Sequence, residues 1–576
     1  MTRRASAAAL LAASAAALAR PAAAFAHAAL VRTVPEASRT VNTPPKELRL
    51  TYTEAVEPRF AIVSITDVHG RQVTDGRPQR SPTDPHTLVA PLHRVPEGWY
   101  LVYWRVISAD GHPVRGAFTF AVGPNPGPAP QFVIPKLSET AATPQLLIAR
   151  WIVFVALLAA IGLFVLRAGL ARSLPFDVPG VSLRPVTIAL GVAIGVALVA
   201  TPIYVDLATA QFALRSAFDL GQIVPLAHAS RFGRALIDLW IVTGLFALAA
   251  AISVWLERPA YRQRSVAQLL ALWGALGCAG ATLLVPGLSG HASTGSDRGL
   301  ALVFDWLHLA AGALWSGGLI GLILLAIRTP ATLRVAALGR LVPRFSRAAF
   351  LSVVLLVGSG IGQAVIRFPT VGSLLSTNYG KALDLKLILL GTALLLAGVN
   401  LARTKPRLEA ALVRPELGPG SASLLRRLVA GEIALVLGAL FAAGLLTSLP
   451  PPPKALAGAG RAIAKVGPGP VKQVVEKAGY RLEFRVNPNK AAVPNTFAVK
   501  ISRGGKPVRG ADVTATFSML DMEMQQLAYR LPERGAGSYS RSAPALVMVG
   551  HWGLAFDIRP PGGTALDVLI LDRANG

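Results

Sequence analysis

Eight stretches of the chain read as nearly unbroken apolar runs, near residues 146 to 170, 183 to 208, 232 to 256, 265 to 288, 300 to 327, 346 to 368, 382 to 402 and 423 to 448. About 20 helical residues cross the ~30 Å hydrocarbon layer of a bilayer, so each run predicts a transmembrane helix. On both sides of this block the pattern changes from runs to alternation. LRLTYT (48 to 53), FAIVSIT (60 to 66), WYLVYWRVIS (99 to 108) and GAFTFAV (116 to 122) are β-branched and aromatic, with Pro, Gly and Asp turns between them. YRLEFRV (480 to 486), NTFAVKIS (495 to 502), ADVTATFS (511 to 518) and HWGLAFDI (551 to 558) repeat that pattern. Short strands at this spacing predict sandwiches or Greek-key barrels. The expected fold is therefore a multidomain membrane protein: an all-β domain over 27–123, a Pro/Gly linker over 124–145, an eight-helix α bundle over 146–448, a proline-containing linker over 449–469, and a small all-β sandwich over 470–576.

Composition supports the membrane reading and restricts the chemistry. Of 576 residues 53% are hydrophobic, and the mean hydropathy is +0.51, too apolar for a soluble chain of this length. The net charge of +27 would suit a nucleic-acid binder, but the basic residues fall in alternate short loops between apolar runs. Arg167, Arg172 and Arg184 form one group, Arg258, Arg262 and Arg264 a second, Arg328, Arg334, Arg340, Arg344 and Arg347 a third, and Arg403, Lys405, Arg407, Arg414, Arg426 and Arg427 a fourth. That is the positive-inside pattern, and it places both β domains on the opposite, extracytoplasmic side of a plasma (inner) membrane, with no nucleic acid as partner. One cysteine, Cys278, excludes an intrachain disulfide and any cysteine-based metal cluster. Apart from Met1, all four methionines, Met519, Met522, Met524 and Met548, fall in the last sixty residues.

The N-terminus reads as a secretory signal over 1–26: Arg3 and Arg4, an Ala/Leu run, then Ala24-Phe25-Ala26 as an A-x-A cleavage site. Cleavage after Ala26 makes His27 the new N-terminus, whose amine and imidazole can chelate one metal ion. In ISADGHPVRG (107 to 116) Asp110 and His112 are two apart, a spacing that points both side chains to one face of an extended segment. Brought together, these groups form a nitrogen-rich set with one carboxylate, which suits Cu(II). His69, His86 and His93 read as loop residues, each a candidate accessory ligand.

The start HAALVRTVPEAS and the closing VISADGHPVRGAFTFAVG resemble the CopC family of periplasmic copper carriers over nearly all of residues 27 to 123. That likeness implies a cupredoxin-like or immunoglobulin-like sandwich and a Cu(II) site made by His27, Asp110 and His112. The methionine-rich Cu(I) site of some members has no counterpart in this domain, because no methionine lies between His27 and the first apolar run, so a Cu(II)-only domain is expected.

Ionisable residues within membrane spans are costly and are functional candidates by default. LSGHASTGSDRGLALVFDWLHLAAGALWSGGL (288 to 319) contains His291, then Asp305 and His308 three apart on one helix face. Gly312, Ser316, Gly317 and Gly318 predict close helix approach. Asp238, Asp384, Lys386 and Glu432 are further buried-charge candidates. This stretch, with RFGRALIDLW (231 to 240) and TNYGKALDLKLIL (377 to 389), resembles CopD, the membrane partner of CopC, over most of residues 146 to 448. The likeness implies copper movement across the inner membrane, with His291 and His308, next to Asp305, as the transport candidates.

In the C-terminal domain FSMLDMEMQQL (517 to 527) sets Met522 and Met524 on one face of an extended segment, and LVMVGHWGL (546 to 554) adds Met548 and His551. Thioethers favour Cu(I). The M-x-M segment, GSYS (537 to 540) and LVMVGHW resemble the YtkA-like domain.

The expected function is copper binding outside the cytoplasm and copper transport inward, serving homeostasis or resistance, without enzymatic activity. Copper ions, the lipid bilayer and extracytoplasmic copper chaperones are the expected partners. Two alternatives fit parts of the sequence: a copper-dependent oxidase built on the N-terminal histidine, and a haem-binding electron-transfer bundle using His291 and His308 as axial ligands. A copper-binding sensor that moves nothing is a third. No Walker A loop occurs, which excludes that form of nucleotide-driven pumping.

Overall fold

The computed structural model describes residues 28 to 575, except 29, 38, 108–112, 127–142, 230, 258–260, 290–297, 369, 450–451, 453–454, 492, 522–525 and 548. The chain divides into two compact units, one helical and one holding both β domains.

Among the described residues eight helices are long and apolar enough to cross a membrane: α1 (Pro144–Leu170), α2 (Arg184–Ala213), α3 (Gly233–Trp255), α4 (Val266–Leu288), α5 (Arg298–Arg328), α6 (Ala331–Arg367), α7 (Asn378–Ala410) and α8 (Gly418–Leu446). Successive helices pair, α1 with α2, α3 with α4, α5 with α6 and α7 with α8, and α1 also packs on α5. That last contact is backbone to backbone. A methyl group added at Gly317 would lie 2.6 Å from the Gly162 Cα, and one at Gly162 would collide with the Ala313 carbonyl. Without a hydrophobic driving force between helices in lipid, such small-residue contacts supply the van der Waals packing that holds them together.

Helix α6 begins well before the apolar run at 346. The basic stretch that reads as a loop is helical because it is amphipathic: Ala337, Leu338, Leu341, Val342 and Phe345 are buried, while Arg340 faces outward. Arg344 donates from Nη1 to Ser173 Oγ (2.6 Å) and from Nη2 to Asp177 Oδ2 (2.9 Å), tying α6 to the connection between α1 and α2. Asp238 is a correction: it lies on an exposed face of α3, while Leu236 and Leu239 turn inward.

Among the described residues the N-terminal domain is a sandwich of eight strands: β1 (Leu30–Val34), β2 (Thr40–Val41), β3 (Glu47–Tyr52), β4 (Ile62–Asp67), β5 (Gln79–Arg80), β6 (Thr87–Pro91), β7 (Gly98–Ile107) and β8 (Pro113–Val122). One sheet has the order β1-β3-β6-β5, the other β2-β8-β7-β4. Leu48, Leu50, Tyr52, Val102, Trp104, Phe118 and Phe120 fill the core between them. Tyr52 meets the Trp104 ring edge-on at 5.5 Å between centroids. Gly116 leaves room for that indole, since a Cβ there would lie 2.7 Å from it.

The C-terminal domain comprises β9 (Ala464–Lys465), β10 (Val471–Lys477), β11 (Tyr480–Asn487), β12 (Asn495–Arg503), β13 (Lys506–Pro507), β14 (Asp512–Met519), β15 (Leu527–Arg530), β16 (Glu533–Gly535), β17 (Ser538–Ala543), β18 (Gly550–Arg559) and β19 (Leu566–Ala574). The sheets run β10-β11-β12-β17-β16, with β13 on β12, and β15-β14-β18-β19-β9. Phe484, Phe497, Phe517, Phe556 and Trp552 form the core. Alternation is strict in β11 and β12, as a half-buried strand requires.

Candidate metal centre

Of the site residues expected from sequence, Asp305, His308 and His551 are described. His27, Asp110, His112, His291, Met522, Met524 and Met548 lie outside the described residues. Among the described residues no three of His, Cys, Asp and Glu converge as metal ligands.

His308 stands on α5 and faces α6 and α7. Its Nδ1 lies 3.1 Å from the Leu356 carbonyl and 3.2 Å from Ser359 Oγ, both on α6. A carbonyl only accepts, so the bond to Leu356 puts the ring hydrogen on Nδ1 and leaves the Nε2 lone pair free. That lone pair points at Lys386 Nζ on α7, 3.4 Å away. Gly360 on α6 also lies beside the ring: a Cβ added there would sit 3.4 Å from His308 Cε1, an ordinary van der Waals contact. One turn earlier, Asp305 Oδ1 lies 3.9 Å from Arg367 Nη2, and Arg367 Nη1 lies 3.3 Å from the Tyr379 hydroxyl. Asp305 also feels the charge of Lys386. Two cations thus stand against one carboxylate around the histidine. Lys386 is legible in sequence as a buried charge and Tyr379 falls within the quoted stretch TNYGKALDLKLIL without being singled out, whereas Arg367 and Ser359 sit at helix positions without a motif to mark them.

In the N-terminal sandwich, β7 and β8 pair up to Ile107 opposite Pro113, so Asp110 and His112 fall in sequence between the two paired ends. His27 precedes Ala28, which is fully buried. β1 starts with Leu30 opposite Tyr52, and Tyr52 packs on Trp104, three residues before Ile107. Tyr52 therefore links the start of β1 to the part of β7 that leads into residues 108–112. Tyr52 Oη and Trp104 Nε1 are buried with no hydrogen-bond partner among the described residues, and burial raises the Tyr52 phenol well above its usual pKa. The other histidines are exposed loop residues. His69 sits in a turn whose backbone N–H donates to Asp67 Oδ1, His86 does the same with Asp84 Oδ1, and His93 Nε2 lies 3.5 Å from Asp75 Oδ1.

In the C-terminal sandwich His551 Nδ1 lies 3.0 Å from Asp521 Oδ1, while the His551 backbone N–H donates to Asp521 Oδ2 (2.8 Å). A carboxylate on Nδ1 fixes the ring and leaves Nε2 as the donor for a metal. Asp521 thus orients His551, a contact that the methionine pattern hides. Met519 is buried at the end of β14, opposite Trp552. The two sandwiches touch where the Ala117 N–H on β8 donates to the Val547 carbonyl at 3.1 Å, beside Met548 in sequence.

The fold and these clusters define a multi-pass membrane protein that carries two all-β domains. A CopC domain model matches residues 30–123, a copper resistance protein D model residues 339–446, and a YtkA-like model residues 475–556. The chain is similar to the copper transport protein CutJ of Bacillus subtilis, 24% identical over 543 residues and 92% of each chain. It is also similar to protein YobA of Escherichia coli K12, 33% identical over 99 residues, 17% of this chain and 80% of the other. Copper resistance protein C of Escherichia coli is 33% identical over 106 residues, 17% and 83%. The chain belongs to the CopC–CopD fusion family of copper-resistance and copper-transport proteins, with a C-terminal YtkA-like domain. The copper resistance protein D model covers α6 to α8 and the residues that face His308 from α6 and α7, a shorter stretch than the sequence likeness suggests.

Proposed function

We propose that this protein binds Cu(II) outside the cytoplasm through His27, Asp110 and His112 and moves copper inward across the inner membrane by way of His308. The orientation of His308 carries the reading. Its Nδ1 is held by a backbone carbonyl, and its Nε2 lone pair is directed into a polar cluster between α5, α6 and α7. For a copper ion to reach Nε2, Lys386 must withdraw, so the lysine holds the site in the absence of cargo. Asp305 supplies the negative charge that an arriving cation needs, and His291, which precedes α5 in sequence, would be a further ligand. Similarity over 92% of the chain to the copper transport protein CutJ supports the same reading.

Signal cleavage after Ala26 would create the terminal amine that completes the outer Cu(II) site. Met522, Met524 and Met548 with His551 would take Cu(I), with Asp521 orienting the imidazole. The contact between Ala117 and Val547 favours exchange between the two sandwiches, because it brings the strand that follows His112 beside the segment that holds Met548. Both β domains then lie on the extracytoplasmic side, where copper chaperones would load them.

The test compares Cu(II) affinity and EPR spectra of the full chain beginning at His27 with those of the same chain beginning one alanine earlier. The extra residue removes the free amine of His27 and leaves every imidazole intact. Unchanged affinity and spectra would overturn the terminal chelate.

A further inference from the structure

A second polar cluster lies inside the bundle, and it contains no histidine. Glu432 on α8 is 2% exposed. Asn400 on α7 donates from Nδ2 to Glu432 Oε1, while Asn400 Oδ1 and Thr404 Oγ1 are buried and have no hydrogen-bond partner among the described residues. Thr404 is fully buried. These two residues bound a π-helical turn, Asn400–Thr404, within α7. Pro406 lies two residues past Thr404, and its missing N–H and its ring disfavour regular winding of the preceding turn. Single π-turns of this kind recur at functional sites. With about one turn between them, Asn400 and Thr404 fall on one side of a segment that packs on α8.

We propose that Glu432, with Asn400 and Thr404, forms a proton-binding site of the membrane domain. A carboxylate buried without a counter-cation is several kcal/mol too costly to stay charged at no gain. Among the described residues no titratable or charged side chain from the helices packed against α8 offsets it. Near the following residue, Ile433, α1 and α5 present Val155, Ala159, Ser316 and Ile320. Arg403, Lys405, Arg426 and Arg427 occupy the same end of α7 and α8, and none of them pairs with Glu432 among the described residues.

Both neighbours suit a group that gains and loses a proton. The Asn400 amide donates to a carboxylate through Nδ2 and, turned over, accepts through Oδ1 from a carboxylic acid. The Thr404 hydroxyl can likewise give or take a hydrogen bond. A metal suits the site less well, because hard cations need six or more oxygens and copper prefers nitrogen and sulfur. In a bundle without a Walker A loop, a proton site offers a way to couple transport to a proton gradient. That coupling rests on the proposed copper movement; the proton site itself does not.

The experiment records pH-difference infrared spectra of the full chain in lipid nanodiscs, for wild type, Glu432→Gln, Glu432→Asp and Asn400→Leu. The wild type should show a carboxylic-acid C=O band that titrates, is lost in Glu432→Gln, returns at a shifted frequency in Glu432→Asp, and changes midpoint in Asn400→Leu. A Glu432→Gln spectrum superimposable on wild type overturns the proposal. So does failure of the aspartate variant to restore any band while it remains folded by circular dichroism. Copper uptake into proteoliposomes with and without a pH gradient forms a separate arm. If the wild type moves no copper, the transport reading fails and the infrared arm still decides the proton site. Gradient-driven uptake that is equal in wild type and Glu432→Gln removes the coupling.

Discussion

Two polar clusters of the helix bundle, one around His308 and one around Glu432, have opposite compositions. Around His308, two cations face one carboxylate, and the donor that matters is an imidazole nitrogen aimed at an ammonium group. Around Glu432, the side chains carry oxygen and amide groups and no cation balances the acid among the described residues. The first is suited to exchange one cation for another at nitrogen. The second is suited to a proton. Inside lipid, where an isolated charge is expensive, neither arrangement is a neutral way to fill space.

The largest predicted effect separates the clusters by ligand. His308→Ala should lower copper occupancy of the bundle by ~100-fold, or about 2.7 kcal/mol, measured by equilibrium dialysis of the full chain in a background that carries Asp110→Ala and His112→Ala to disable the outer site. Glu432→Gln should leave that occupancy unchanged. Equal losses in both variants would erase the distinction. Lys386→Met should act in the opposite direction and raise occupancy by about tenfold, because it removes the ammonium group from the Nε2 lone pair. An alanine added before His27 should weaken Cu(II) binding to the outer domain by about tenfold, or ~1.4 kcal/mol, and should leave the bundle untouched.

Packing should respond without changing ligand chemistry. Gly317→Leu forces α1 and α5 apart and should cost about 1 to 3 kcal/mol of stability, read as a lower unfolding temperature in detergent. Gly358→Leu, at a position with open space around it, should cost far less. The smallest effect concerns Asp572 in the C-terminal sandwich. Burial raises its carboxyl above the usual range, against the hydrogen bond from Asn489 Nδ2 at 2.9 Å. The folded state therefore holds this proton more tightly than the unfolded one, and stability falls as pH climbs from the ordinary carboxylate value through the raised one. Asp572→Asn should flatten that fall and add about 1 kcal/mol near neutral pH, measured by denaturation across pH.

Much of this architecture is legible in the chain. The apolar runs mark all eight helices because length and hydropathy alone define a span, and the strict alternation of YRLEFRV and NTFAVKIS marks two central strands. What escapes are features set by partners. Two-residue edge strands such as Thr40–Val41 have no pattern of their own. The start of α6 is hidden by arginines that lie outward on an amphipathic helix. His308 and Asp305 stand out as rare polar residues in a span, yet the identity of their partners Ser359 and Arg367, and of Tyr379 next to Arg367, depends on how three helices rotate against one another. The π-turn at Asn400 has a sequence cue in Pro406, but only the packing of α7 on α8 brings Glu432 to it.

The most direct measurement of the central claim is uptake of isotopically labelled copper by sealed proteoliposomes that contain the full chain, with the wild type and His308→Ala compared at equal protein density. The account predicts time-dependent accumulation in the wild type and background accumulation in the variant. Equal uptake by both, or none by either, would contradict passage of copper by way of His308.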